Sequence, residues 1–428
     1  MKILIVGGGG REHALAWKAS LSADAEQVFV APGNAGTALE PALRNVAIAA
    51  DDIEALLRFA LDEGIDLTIV GPEAPLVLGI VDRFEEKGLK CFGPRKAAAQ
   101  LEGSKAFCKD FMARHGIPTA HYQTFTEVAP AVDYIRAQGA PIVVKADGLA
   151  AGKGVVVAMS EAEAIAAVSD MLAGNAFGEA GHRVVVEEFL VGEEASFIVM
   201  ADGQHALAMA SSQDHKARDE GDSGPNTGGM GAYSPAPVVT PEVHERAMNE
   251  VILPTLRGMA EDGIPYTGFL YAGLMVSPKG EIRVLEFNCR FGDPETQPIL
   301  LRLQSDLPGL CLTALEGRLD GASAAWDPRP ALGVVMAAAG YPSDYAKGDP
   351  ITGLHDGDTS EVKVFHAGTA LQENGEVVTA GGRVLCVAAL GETVREAQQK
   401  AYARADQIQF KGGFYRKDIG YRAVQRGA

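Results

Sequence analysis

The first hundred residues of this chain constrain its fold more than any other stretch. Four short aliphatic runs, KILIV (2–6), QVFVA (27–31), DLTIV (66–70) and LKCFG (89–93), alternate with amphipathic segments. Short runs that are apolar throughout fit strands covered on both faces, and the segments between them fit the crossover helices of a parallel sheet. One such segment follows Asp51-Asp52, a suitable cap, and carries Ile53, Leu56, Leu57, Ala60 and Leu61 on a single helical face. Parallel sheets bind ligands at the carboxyl ends of their strands. Three of those ends read Gly7-Gly8-Gly9-Gly10, Ala31-Pro32-Gly33-Asn34 and Gly71-Pro72-Glu73, which predicts one crevice where they converge.

Fifty of the 428 residues are glycine, well above the usual share of roughly 7%. They are clustered rather than periodic, which points to loops that bring backbone close to a ligand. The first cluster does not fit a dinucleotide site. GGGGREHA puts Glu12 or His13 where the last glycine of G-x-G-x-x-G belongs, and the second strand ends in Ala31-Pro32-Gly33, without the acid that holds a ribose 2′-hydroxyl. A helix N-terminus after four glycines still suits an anion, with Arg11 beside it; a tight turn required only for packing is the alternative. The net charge of −18, from 38 Lys and Arg against 56 Asp and Glu, argues against nucleic acid or an anionic membrane as partner, so an anionic substrate must be met by local cations. The five cysteines are scattered without a CxxC pair, which disfavours a disulfide framework or a zinc knuckle and fits a reducing cytoplasm. No apolar run approaches 18 residues, so neither a signal peptide nor a membrane span is expected.

Beyond the N-terminal parallel α/β domain, 1–102, a helix-like stretch from Ser104 leads into a strand-rich region that includes PIVVKADG, HRVVVEEFL, TGFLYAGLMV and EIRVLEFN. This second domain is expected to span 103–325, ending in the small-residue and proline stretch GASAAWDPRP. A third, small α/β domain over 326–428 combines strands such as LGVVMAAA and RVLCVAAL with a helix bearing Val394, Ala397, Ala401, Ala405 and Ile408 on one face.

Two motifs carry chemistry. In Lys145-Ala-Asp-Gly-Leu-Ala-Ala-Gly-Lys-Gly154 the spacing is one residue short of a P-loop and no Ser or Thr follows the lysine, but strands flank it on both sides. A glycine-rich loop at a hairpin tip can lie over a triphosphate, with backbone N–H donors and lysine charges; an unliganded flexible hairpin is the alternative. In Val284-Leu-Glu-Phe-Asn-Cys-Arg290, strand alternation puts Glu286, Asn288 and Arg290 on one face and Leu285, Phe287 and Cys289 on the other. A carboxylate, an amide oxygen and a guanidinium on one surface suit a hard cation shared with phosphate.

The ordered series Lys105, Lys145, Glu187-Glu188-Phe189-Leu190, Glu194 and Glu286-Phe-Asn288-Cys-Arg290 resembles the nucleotide contacts of the ATP-grasp superfamily. More narrowly, GGGGREHALAW, APGNAGT, VGPEAPL, LEGSKAF, KADGLAAGKGV, QDHK, GPNTGGMGAYSP, EFNCRFGDPETQ and VFHAGT resemble the phosphoribosylamine–glycine ligase family along the whole chain. That resemblance implies an α/β architecture of three parts: an N-terminal pre-ATP-grasp sheet, an ATP-grasp domain with a β-hairpin lid subdomain over about 120–190, and a small C-terminal α/β domain. It implies a cytoplasmic, monomeric enzyme with no appended partner enzyme, joining glycine to 5-phospho-β-D-ribosylamine with ATP through a glycyl phosphate. The expected cofactors are ATP and Mg²⁺, with Mn²⁺ as an alternative. Carried onto this sequence, Lys105, Lys145, Gly152, Lys153 and Gly154 would contact phosphates, Glu187 through Leu190 would face adenine, and Glu194 would hold the ribose. Glu286 and Asn288 would hold the metal, Arg290 and Asp214 would act on glycine or its acyl phosphate, and Gly9, Asn34, Glu73 and Asp293 would meet substrate. Two rival readings are another ATP-grasp carboxylate–amine ligase of purine metabolism and a nucleotide-sensing protein on the same fold.

Overall fold

The computed structural model describes residues 1–148, 154–173, 182–354 and 357–427. Strands β1 (Lys2–Gly7), β2 (Gln27–Pro32), β3 (Leu43–Asn45), β4 (Leu67–Val70) and β5 (Cys91–Phe92) form a parallel sheet in the order β3-β2-β1-β4-β5. Strands β1, β2, β4 and β5 fall on the four aliphatic runs, β3 on none of them, and Asp52 caps the helix Ile53–Glu63 by accepting from the Ala55 N–H. Ile3, Leu4, Ile5 and Val6 are all fully buried, as a doubly covered strand requires. The first two loops meet backbone to backbone: a Cβ at Gly8 would lie 2.6 Å from the Gly33 carbonyl oxygen, so packing alone demands glycine there.

Strands β6 (Tyr122–Phe125), β7 (Ile142–Ala146), β8 (Val155–Ala158) and β9 (Val184–Glu188) form an antiparallel sheet in the order β6-β9-β7-β8. Helices Val128–Gln138 and Glu161–Leu172 cover it, and its core, including Phe125, Ile135, Val144, Val168 and Val186, is separate from every other core. The chain continues through β10 (Glu193–Asp202), β11 (Ala206–Ala208), β12 (Gln213–Asp214), the ribbon β13 (Ala217–Asp219) with β14 (Ser223–Asn226), β15 (Gly231–Ser234), β16 (Thr267–Val276) and β17 (Ile282–Asn288). Of these, β11-β10-β16-β17 form the central antiparallel sheet. Strands β18 (Ala331–Ala337), β19 (Val362–His366), β20 (Thr369–Leu371), β21 (Val377–Thr379) and β22 (Arg383–Leu390) follow, and β12 and β15 join β18, β22 and β19 in one sheet.

Alternation along β1 sends Leu4 and Val6 into one core with Phe197, Leu270 and Val284, and Ile3 and Ile5 into another with Ile198, Phe269 and Ile299. The N-terminal and central sheets therefore share both large cores, which fixes their strand ends relative to one another. All five cysteines are buried and unpaired, and no helix among the described residues is long and apolar enough to cross a membrane.

Candidate active site

Arg11 in the helix that follows β1, Pro72 and Glu73 after β4, the inner faces of β7 and β9, the end of β17 and the loop after β14 enclose one cavity of about 470 Å³. Lys105 opens the helix Lys105–Arg114, where Ser104 is the cap: its Oγ accepts from the Phe107 N–H at 3.1 Å and donates to Asp147 at 3.0 Å. The Lys105 Nζ donates to the Gly148 carbonyl at 3.0 Å, and burial lowers its pKa against the pull of Glu286. Lys145 points inward from β7. Its Nζ pairs with Glu187 and donates to the Leu285 carbonyl at 3.2 Å. Glu187 also takes Lys109 at 2.5 Å; burial would raise its carboxyl, but the two lysines hold it below its usual range. Its carboxylate is thus the counter-ion of two lysines.

Strand β17 departs from simple alternation at one point. Opposite Gly273 and Leu274 of β16 stand Glu286 and Val284, so Leu285 is a bulged residue. The expectation that Leu285 shares a face with Phe287 and Cys289 is corrected by this bulge: Leu285 is half-buried on the cavity wall, whereas Phe287, which also borders the cavity, and Cys289 are buried in the core with Val284. Glu286 and Asn288 both line the cavity. Burial would raise the Glu286 carboxyl, but Lys216, Lys145 and Lys105 bring it down to about 2. Asn288 spends its amide nitrogen on the Phe287 carbonyl at 3.0 Å, which leaves the oxygen to coordinate. Among the described residues no group of three or more His, Cys, Asp or Glu side chains could hold a metal by itself. A cation bound by Glu286 and Asn288 would complete its shell with phosphate and water oxygens, as hard, oxygen-preferring ions do in nucleotide sites.

Past the strand, Arg290 is gripped from two sides, by Glu73 (Nε to Oε2, 3.2 Å) and Glu102 (Nη2 to Oε1, 3.0 Å). Glu102 also accepts from the Cys289 N–H at 2.8 Å, and its burial raises its pKa against the Arg290 charge. Glu73 is lowered: burial opposes ionisation, but Arg290 and Arg11 outweigh it. Asp293 receives Arg383 (3.1 Å) and Gln297 (2.9 Å). Asp214 is pushed up by burial and by the Glu295 carboxylate. Lys216 bridges Glu194 at 2.7 Å and Glu286 at 3.4 Å.

The cavity gathers Lys105, Lys145, Gly154, Glu187, Leu190 and Glu194 with Asp214, Glu286, Asn288, Arg290, Glu73 and Asp293. Gly152 and Lys153 lie outside the described residues. Gly9 and Asn34 do not line it. Asn34 has other work: Oδ1 accepts from the Thr37 N–H at 3.1 Å, and Nδ2 donates to the Gly8 carbonyl at 2.9 Å and the His366 carbonyl at 2.8 Å. Sequence reasoning did not single out Glu102, Lys109, Lys216, Glu295 or Arg383, all of which line the cavity. Glu102 and Lys216 stand inside the strings LEGSKAF and QDHK, which was the available signal; Lys109 and Arg383 had none.

Residues 1–102 match the phosphoribosylglycinamide synthetase N domain, 103–296 the ATP-grasp (A) domain of the same family, and 331–422 its C domain. The chain belongs to the phosphoribosylglycinamide synthetase family. A Yersinia pestis member, named phosphoribosylamine–glycine ligase, is 67% identical over 427 residues, covering 100% of both chains. The crystal structure of a Thermotoga maritima phosphoribosylamine–glycine ligase matches with a TM-score of 0.84 at 36% identity, over 98% of this chain and 100% of that one. Outside the synthetase family, the biotin carboxylase domain of a Hydrogenobacter thermophilus 2-oxoglutarate carboxylase, solved with MgADP, ADP and bicarbonate, shares the fold with a TM-score of 0.74 at 16% identity, over 96% of this chain and 91% of that one.

Proposed function

We propose that this chain is an ATP-dependent ligase that joins glycine to 5-phospho-β-D-ribosylamine, giving glycinamide ribonucleotide, ADP and phosphate in de novo purine synthesis. The observation that carries the reading is that one cavity is lined by groups suited to both halves of such a reaction. A lysine-rich nucleotide end, with Lys105, Lys145, Glu286 and Asn288, runs into the strand ends of the N-terminal sheet at Glu73 and Arg11.

A carboxylate resists attack by an amine, so its oxygen is first phosphorylated. The bond from the γ-phosphorus to the ADP oxygen breaks as a bond to a glycine carboxylate oxygen forms. The amine nitrogen then attacks the acyl carbon, the C–O bond to phosphate breaks, and the amine gives up a proton. In this reading Lys105 and Lys145 hold phosphates and Glu194 the ribose, with Lys216 fixing Glu194. Glu286 and Asn288 hold a divalent cation, Mg²⁺ or Mn²⁺, which when bound offsets charge on the nucleotide phosphates. Arg290, immobilised by Glu73 and Glu102, directs its remaining N–H groups to charge that builds between donor phosphate and glycine. Asp214 faces glycine. The protein acts as a monomer in the cytoplasm, a setting that its five unpaired cysteines fit.

The test is ADP formation with glycine and phosphoribosylamine withheld in turn. Full turnover should require both, and ADP release driven by formate or bicarbonate without glycine would overturn the assignment.

A further inference from the structure

The ribbon β13–β14 is a two-stranded sheet with no third strand among the described residues, and residues 220–226 between and along its strands are exposed. Such a ribbon is marginal in water without outside support. Its roots are nevertheless part of the site, because Lys216 precedes β13 and Asn226, Thr227 and Gly228 close β14, and all four line the cavity. The support comes from the far end of the chain. Arg416, whose side chain is only 1% exposed, donates to the Ala217 carbonyl at 3.0 Å and to Asp222 at 2.9 Å, and its Nε meets Asp418 at 2.8 Å. Asp222 also accepts from the Tyr421 hydroxyl at 2.8 Å and from Arg422. The Asp418 carboxylate takes the Gly221 N–H at 2.8 Å.

Asp222 is the one non-glycine residue among those described with a positive φ, +53°. A strained conformation of this kind persists where surrounding contacts over-determine it, and it is found preferentially near functional sites. The contacts are Arg416, Arg422 and Tyr421, none of which touches the cavity. We propose that Asp222 and Arg416 are positioning residues: through them the segment 416–422 grips the exposed ribbon and fixes Lys216 and Asn226–Gly228 against the substrates. Because Lys216 in turn holds both Glu194 and Glu286, slack in the ribbon passes directly to the groups around the nucleotide. This rests on the ligase reading above.

The test is Asp222→Gly, which accepts the positive φ but removes every side-chain contact, beside Asp222→Asn, which tolerates the same backbone and keeps a hydrogen-bonding oxygen. Amide exchange at 216–228 should accelerate in the glycine variant, and kcat for glycine-dependent ADP release should fall by about 10–100-fold, as a small misplacement of a reacting group does. Asparagine should restore most of both, while the thermal midpoint moves little in either. If the glycine variant fails to fold, Arg422→Ala removes one half-buried partner and should show the same changes, smaller. Unchanged exchange would show that the ribbon holds itself, and faster exchange with unchanged kcat would show a merely structural clasp; either overturns the proposal. Absence of glycine-dependent turnover in the unaltered protein would instead overturn the ligase reading and leave the exchange result standing.

Discussion

A carboxyl group surrounded by three lysines is a carboxylate at any working pH. Glu286, brought down to about 2, contributes stability that is present above the ordinary carboxylate pKa and is lost only as pH falls toward 2. An acid limb of activity above pH about 4 therefore belongs to another group. Removing the side chain should be severe: Glu286→Ala and Asn288→Ala are each expected to lower ligase turnover at least about 100-fold at low millimolar Mg²⁺ while circular dichroism stays native. Near-normal rates in both would overturn the metal assignment. Arg290 requires a gentler probe than alanine, since truncation would strand Glu73 and the buried Glu102 without their counter-ion and destabilise the fold. Arg290→Lys keeps the charge but lacks the planar fork that spans both carboxylates. It should cut kcat by roughly 10²–10³ with only a modest change in ATP-analogue Kd; weakened nucleotide binding at unchanged kcat would make Arg290 a ground-state clamp instead. Arg290 was read on the same strand as Glu286 and Asn288 but lies past its end, and reaches the cavity from the turn that follows. Glu286 and Asn288 were legible in the sequence because alternation on one strand is a local rule. The turn of Leu285 was not, because its bulge is set by the register with β16, and Arg383 was not, because its partner Asp293 is 90 residues away.

Elements differ in how much of their position is written locally. Helix starts were readable from their caps: Asp52 and Ser104 both accept from the N–H three residues on. The Ser104 cap has more than local value, because its hydroxyl also donates to Asp147, whose backbone carbonyl receives the Lys105 N–H. Ser104→Ala should cost about 1 kcal/mol, measurable as a lower urea midpoint at unchanged m, and should loosen Lys105 as well; an unchanged midpoint would show that Asp147 alone secures the helix start. The helix from Val394 was read through Ile408, but it ends at Ala405. Periodicity gave that face, while the stop is set where the chain turns to pack Ile408 and Phe410 beneath β18 and β22. The ends of β1 and β2 do meet, through Asn34 and the Gly8 carbonyl, but of the three strand ends expected to share one crevice only that of β4, at Pro72 and Glu73, lines the cavity, and the role of Asn34 was hidden. Its amide reaches the His366 carbonyl, 332 residues on, a pairing no window on the sequence can contain.

At the scale of the molecule, three buried histidines are held neutral, and two of them stand between distant parts of the chain. His13 accepts from the His366 N–H at 2.8 Å, and the His215 Nε2 accepts from the Gly420 N–H at 3.1 Å, so a proton on either acceptor would face another donor. Burial lowers all three, His215 to about 4 and His366 to about 3. Because these folded pKa values lie below the unfolded value near 6.5, the unfolded chain takes up protons first. Stability should be flat above pH about 6.5 and fall as pH drops toward 4, with His215 alone contributing a loss on the order of 3 kcal/mol. Urea midpoints measured from pH 7 to pH 4.5 check this, and His215→Gln should flatten the slope. The five cysteines offer a different kind of readout. Burial raises every thiol, Cys108 to about 11 and the others further, so none is reactive while its surroundings stay closed. Cys91, Cys108 and Cys289 sit in one shared core and Cys311 and Cys386 in the other, whereas the core of the β6–β9 sheet has none. Alkylation followed residue by residue thus becomes a pair of clocks built into the chain: equal rates for the two sets mean that the body opens as a single unit, and breathing of the β6–β9 sheet passes without a tick.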